Sequence, residues 1–170
     1  MSQLRIAVIG AGHLGRIHAK LLGSVDGAKL AGISDPFEAA RANAEKQFQV
    51  PSFGDYRDLI PRVDAAVIAS PTDTHARIAR DFLKAGKHVL VEKPLTIERV
   101  DASQLAALAA AKRLTLQVGH VERFNPAFTA MDDLRVDVKF VEAVRASSFP
   151  GRCSCCETSA IPAHRAGRGR

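Results

Sequence analysis

Three glycines near the N-terminus have the spacing of a loop that binds phosphate groups. Gly10, Gly12 and Gly15 fit the pattern G-x-G-x-x-G, directly after a short apolar run and directly before a helical pattern. In such a loop the first glycine permits a tight turn, the second lets a pyrophosphate approach the backbone, and the third lets the helix pack closely on the strand. The free N–H groups at the start of the helix would then bind the phosphates of a dinucleotide.

His13 and Leu14 stand between the second and third glycines, at free positions of the pattern. We count both among the cofactor-binding residues, although His13 can equally be a solvent-facing residue. A tight turn without a ligand is the alternative interpretation of the whole loop.

A carboxylate follows the glycine loop at the distance that dinucleotide-binding domains use. Asp35 lies twenty residues after Gly15, at the end of a second apolar run. There it can accept hydrogen bonds from the adenosine ribose hydroxyls and would repel a 2′-phosphate, so we favour NAD over NADP as the cofactor. Arg41 is the residue that could reverse this preference. Asp35 can also cap the helix that we expect to start at Pro36, and both roles can hold together.

Two further motifs resemble the Gfo/Idh/MocA family of oxidoreductases. Residues 85–95 read A-G-K-H-V-L-V-E-K-P-L, and residues 70–75 read S-P-T-D-T-H, which fits the family's loop after its fourth strand. Together with the glycine loop, these motifs occur in the family's order over about residues 4–150. The resemblance implies a Rossmann domain that binds NAD, and hydride transfer from a sugar-type hydroxyl.

The resemblance places Lys93 between the nicotinamide and the substrate, as the catalytic residue. A cation there can orient the reacting hydroxyl and stabilise the alkoxide that develops as hydride leaves the carbon. A solvated lysine at a strand end is the alternative. In many relatives the peptide bond before the following proline is cis, which would direct the lysine side chain.

The family pattern adds four residues to the expected cofactor site. Ser70 and Pro71 should pass beneath the nicotinamide end of the cofactor. Glu92 should position its neighbours or the nicotinamide ribose rather than transfer protons. His75 is counted with them, although it lies one turn into a helix and could simply form local hydrogen bonds.

A third group of polar residues follows the last predicted strand. Residues 119–126 read G-H-V-E-R-F-N-P and resemble a subgroup of the family that includes the UDP-N-acetylglucosamine 3-dehydrogenases. His120, Arg123 and Asn125 would then face the substrate, and an arginine suits an anionic nucleotide sugar. A loop-to-helix junction in which Asn125 caps a helix at Pro126 is the other interpretation.

The elements that must position these residues alternate between strand and helix. Apolar runs at residues 4–9, 29–34, 65–69, 87–91 and 114–118 predict buried parallel strands, and the segments between them carry helical periodicity. In the first helix, Leu14, Ile17, Leu21 and Leu22 are expected to form the apolar face. This order predicts an α/β fold: a doubly wound parallel sheet of Rossmann type.

Composition excludes several other classes of protein. The net charge is +6, but residues 151–170 contribute +3 of it with four arginines and one glutamate, so no basic surface that would bind nucleic acid is expected. No apolar run is long enough for a membrane helix, and no secretory signal is apparent, so we expect a cytoplasmic protein. The three cysteines, Cys153, Cys155 and Cys156, and His164 match no common zinc spacing, so no metal site is expected.

We divide the chain into three parts: a dinucleotide-binding domain (1–134), the first strand of a second, α+β domain (135–150), and an irregular tail (151–170). Members of the family are about twice as long, and their second domain supplies the general base and the oligomer interface, which leaves the oligomeric state of this chain open. We therefore expect the chain to bind NAD, to self-associate through the unpaired strand 136–146, and to form no NADH with a nucleotide sugar. The alternative is an NAD-binding module that senses or scaffolds without catalysis.

Overall fold

The computed structural model describes residues 3–130. Six strands form one sheet, and every pairing in it is parallel. The order of the strands is β3-β2-β1-β4-β5-β6, the doubly wound arrangement that binds dinucleotides. The strands are β1 (Leu4–Ile9), β2 (Ala28–Ser34), β3 (Ser52–Phe53), β4 (Ala65–Ile68), β5 (His88–Val91) and β6 (Leu116–Val118).

Helices connect the strands and cover both faces of the sheet. The α-helices are α1 (His13–Leu22), α2 (Glu38–Phe48), α3 (Thr72–Lys84), α4 (Arg99–Lys112) and α5 (Pro126–Thr129), and two 3-10 helices span Tyr56–Arg62 and Val121–Phe124. In the part of the chain described, no helix has both the length and the apolar character to span a membrane.

Alternate residues of each strand supply the two cores. In β1, Ala7 and Ile9 face a core shared with α3, α4 and the first 3-10 helix. Val8, between them, faces a second core shared with α1 and α2. This alternation follows from the two-residue period of a strand, and burial on both faces explains why the central strands are predominantly apolar.

The predicted fold class is confirmed, and the structure differs from the sequence-based expectations at particular elements. The expectation that α2 begins at Pro36 was wrong, since the helix begins at Glu38 after the extended residue Phe37. Neither β3 nor the 3-10 helix at Tyr56–Arg62 was predicted from the sequence.

The prediction of the apolar face of α1 was wrong for three of its four residues. Its buried residues are Gly15 and Ala19, whereas Leu14, Ile17 and Leu21 are 42%, 42% and 54% exposed. The helix approaches the sheet so closely at Gly15 that no larger side chain fits at that point. Leu22, the fourth predicted residue, is partly buried and packs against the core that α1 shares with α2. Leu14, Ile17 and Leu21 lie on the exposed side of the helix.

Candidate cofactor-binding site

A cleft of about 790 Å³ opens at the carboxyl ends of β1, β2 and β4. Because the strand order reverses between β1 and β4, this is the position where open α/β sheets bind their ligands. The volume lies within the range of cofactor and small-molecule sites. Seven residues that the sequence assigned to the cofactor line this cleft: Gly10, Gly12, His13, Leu14, Asp35, Ser70 and Pro71.

Each glycine of the loop between β1 and α1 has a different steric reason to be glycine. Gly10 has a φ of +100°, and a Cβ on it would lie 2.6 Å from the Ala69 carbonyl oxygen. A Cβ on Gly15 would collide with the carbonyl oxygen of Gly10, whereas a Cβ on Gly12 would meet no atom within 4 Å. The space beside Gly12 is thus free for a ligand, as the phosphate-loop prediction requires.

Two backbone N–H groups hold the carboxylate of Asp35 at the end of β2. Its Oδ2 accepts from the N–H of Ala11 in the glycine loop at 2.8 Å, and its Oδ1 accepts from the N–H of Phe37 at 2.9 Å. The residue is 9% exposed. Each carboxylate oxygen has further lone pairs, so Asp35 can still accept hydrogen bonds from ribose hydroxyls.

Arg41, the residue that could favour NADP, is engaged by the backbone. Its Nη1 donates to the carbonyl oxygens of Asp35 and Pro36, both at 2.9 Å. Both hydrogens of this nitrogen are therefore paired with the backbone that follows β2.

Tyr56 and its charged neighbours Arg57 and Arg77 form one wall of the cleft, which was not predicted from the sequence. Its hydroxyl donates to Asp81 Oδ2 at 2.7 Å and accepts from Arg77 Nη1 at 2.8 Å, while the Arg57 guanidinium lies 4.9 Å from the centre of its ring. Burial, reinforced by the Asp81 carboxylate, raises the pKa of Tyr56 to about 12. Tyr56 is therefore neutral at physiological pH and acts as a fixed donor to Asp81.

At the end of β5, a buried carboxylate is followed by an exposed lysine. Glu92 is 6% exposed, and its Oε1 lies 2.7 Å from Nε2 of His18 on α1. Its Oε2 accepts from the backbone N–H of Lys93 at 3.2 Å. The side chain of Lys93 is exposed, and the Lys93–Pro94 peptide is cis. His18 was not predicted from the sequence because its partner, Glu92, is 74 residues away along the chain. The two residues meet because α1 lies beside the carboxyl end of β5.

His75 contacts the backbone rather than the cleft. It is 1% exposed, and its Nε2 lies 2.8 Å from the Ser70 carbonyl oxygen and its Nδ1 2.9 Å from that of Pro94. The Ser70 hydroxyl is hydrogen-bonded to Thr74 at 2.6 Å. His75 therefore joins the loop after β4 to the loop after β5.

The three residues expected at the substrate lie beyond β6 and do not line the cleft. His120 and Arg123 are exposed. The Oδ1 of Asn125 accepts from the Ala127 N–H at 3.0 Å, and its Nδ2 donates to Glu122 at 2.8 Å. Asn125 thus caps α5, as the second interpretation proposed, and its contact with a substrate stays a prediction.

Some predictions fall on residues outside the described range of 3–130. They concern the unpaired strand, the irregular tail with its cysteines, and His164. Within the described range, no group of three or more His, Cys, Asp or Glu side chains could hold a metal ion.

Comparison with known proteins identifies the family that the chain resembles. Residues 4–120 match the model of GFO_IDH_MocA, described as an oxidoreductase family with an NAD-binding Rossmann fold. UDP-N-acetylglucosamine 3-dehydrogenase of Acidithiobacillus ferrooxidans is 33% identical over 153 residues, which are 89% of this chain and 48% of that protein. A scyllo-inositol 2-dehydrogenase (NAD(+)) of Bacillus subtilis is 35% identical over 130 residues, 74% of this chain and 38% of that protein.

Two solved structures are also similar to this chain. The structure of the Acidithiobacillus ferrooxidans enzyme matches 77% of this chain and 43% of its own, with a TM-score of 0.72 and 35% identity. GenD2 from gentamicin A biosynthesis, in complex with NAD, matches 81% of this chain and 40% of its own, with a TM-score of 0.76 and 30% identity. The chain therefore spans about half the length or less of the proteins it matches.

Proposed function

Because the chain belongs to the Gfo/Idh/MocA oxidoreductase family, whose NAD-binding Rossmann domain it carries, we propose that it is the NAD-binding part of a dehydrogenase that oxidises a hydroxyl of a sugar or nucleotide sugar. NAD, when bound, supplies the hydride acceptor. Relatives whose names specify UDP-N-acetylglucosamine or scyllo-inositol support this substrate class.

The observation that carries the proposal is the exposed lysine that follows a buried, fixed carboxylate. Lys93 lies two residues after β5, and β5 is paired with β4, whose end leads into Ser70 in the cleft. A cofactor with its adenosine at Asp35 and its phosphates at Gly12 would extend across the ends of β1 and β4 towards Lys93. At that point an ammonium group can bind the substrate hydroxyl and stabilise the negative charge that develops on its oxygen.

Asp35 is the residue that we expect to set the preference for NAD. Asp35→Asn keeps the size of the side chain but removes its charge, so we expect NAD affinity to fall about tenfold and the discrimination against NADP to diminish. Calorimetry with both cofactors would measure these changes, with Asp26→Asn as the control outside the cleft. Equal affinity of the unmodified chain for NAD and NADP would contradict the assignment.

Lys93 is the residue that we expect to support the chemical step. A fusion of residues 1–130 with the second half of the Acidithiobacillus ferrooxidans enzyme can be assayed for NADH formation with UDP-N-acetylglucosamine. Lys93→Met should lower the turnover of this fusion about 100-fold or more, because a charge that stabilises the transition state is lost. NAD affinity should fall about tenfold at most, since the phosphates and adenosine bind elsewhere.

The surface residue Lys112 provides the matched control, Lys112→Met. Turnover that is the same in the Lys93→Met and Lys112→Met fusions would remove Lys93 from the mechanism. A chain that binds NAD while its fusion oxidises no sugar, inositol or nucleotide sugar would favour an NAD-binding module without catalysis.

A further inference from the structure

Two histidines reach the segment Glu92-Lys93-Pro94 from opposite faces of the sheet. His18 belongs to α1, which packs with α2 on one face, and His75 belongs to α3, which packs with α4 on the other. We propose that His18 and His75 are positioning residues that hold the backbone of Lys93 from both sides and so place its ammonium group beside the nicotinamide. This inference rests on the proposed function for the location of the nicotinamide.

His18 acts on the amino side of Lys93 through Glu92. Its Nε2 lies 2.7 Å from Glu92 Oε1, and the other carboxylate oxygen accepts the Lys93 N–H at 3.2 Å. Gly119 lies against the same carboxylate, since a Cβ on it would lie 3.1 Å from Glu92 Oε1. A buried carboxylate needs such partners. Without His18 the carboxylate would turn towards water and release the Lys93 N–H.

His75 acts on the carboxyl side of Lys93 through Pro94. Its Nδ1 faces the Pro94 carbonyl oxygen at 2.9 Å and its Nε2 faces the Ser70 carbonyl oxygen at 2.8 Å. Both partners can only accept, so a neutral ring donates to one at a time and a doubly protonated ring donates to both. Since Ser70 lines the cleft, His75 fixes the loop of Lys93 relative to the cofactor.

This positioning role of His18 and His75 differs from ordinary core packing in two respects. It depends on N–H donors, and its loss should affect only the nicotinamide end of the cofactor. Replacing either histidine with leucine removes the donor and keeps an apolar side chain. Replacing it with glutamine restores an N–H donor on a flexible side chain. Asp64→Asn is a control for general destabilisation, because it breaks the ion pair with Arg5 at the amino-terminal ends of β1 and β4, away from Lys93.

The test compares the affinity of the full chain for NAD and for ADP-ribose, which lacks the nicotinamide, together with hydrogen exchange at the Lys93 amide. His18→Leu and His75→Leu should lower NAD affinity about tenfold, the change expected when a hydrogen bond to a charged group is lost, and leave ADP-ribose affinity within about twofold. His18→Leu should also accelerate exchange at Lys93. The glutamine variants should recover part of the NAD affinity.

Three results would overturn the proposal: equal losses for NAD and ADP-ribose, leucine and glutamine variants that behave alike, or equal affinity of the unmodified chain for the two ligands. Each of these leaves NAD binding at the glycine loop intact. Binding of neither ligand by the unmodified chain would instead contradict the proposed function and, with it, this inference.

Discussion

Gly12→Val should abolish NAD binding and leave the fold unchanged. Gly12 has an extended backbone, with φ −68° and ψ −169°, which valine adopts readily. A Cβ at this position meets no protein atom within 4 Å, so the added side chain would occupy only the space that the pyrophosphate needs. We expect affinity to fall about 100-fold or more, equivalent to roughly 3 kcal/mol.

Calorimetry with NAD would measure the loss, and thermal unfolding would show that the domain is intact. Ala85→Val is the matched control, because it adds a larger apolar side chain at the exposed end of α3, outside the cleft. Retention of NAD affinity by Gly12→Val would show that the pyrophosphate does not bind over this glycine.

Gly15→Ala, in contrast to Gly12→Val, should destabilise the domain severely. The added methyl group would collide with the carbonyl oxygen of Gly10 and touch Val8 at 3.4 Å. Backbone atoms cannot move aside as a flexible side chain can, so α1 would have to lift away from β1. Overpacking of this kind costs typically 1–3 kcal/mol, and we expect about 3 kcal/mol here because the obstacle is backbone.

Gly12→Ala is the comparison within the same loop, and its free energy of unfolding should stay within about 1 kcal/mol of the unmodified chain. Urea unfolding followed by circular dichroism would measure both variants. Similar stabilities for the two alanine variants would mean that α1 does not approach β1 as closely as the structure shows.

Some site residues could be predicted from the sequence because local spacing determines their position. The glycine loop lies between one strand and the next helix, and Asp35 ends the neighbouring strand, so both reach the cleft through sheet topology alone. The parallel pairing of the sheet likewise follows from the alternation of strands with helices. These predictions need no knowledge of side-chain contacts.

Other features depend on contacts between distant residues and have no local pattern. His18 meets Glu92 only because α1 lies over the edge where β5 ends. Tyr56 stands in a 3-10 helix with no apolar periodicity, and its role at the cleft depends on Asp81, 25 residues away. The outward side chains of α1 were mispredicted because helical periodicity shows which side chains share a face and does not show which face meets the sheet.

The two backbone bonds of Asp35 also bear on any attempt to redesign the cofactor preference. Removing the carboxylate would open space for a 2′-phosphate, but it would also strip the acceptor from the Ala11 N–H and from the Phe37 N–H. A substitution to alanine would thus weaken the discrimination against NADP, but it would also loosen the phosphate-binding loop. A serine or asparagine at this position retains one acceptor, so engineering towards NADP should begin from those residues and add a cation for the new phosphate.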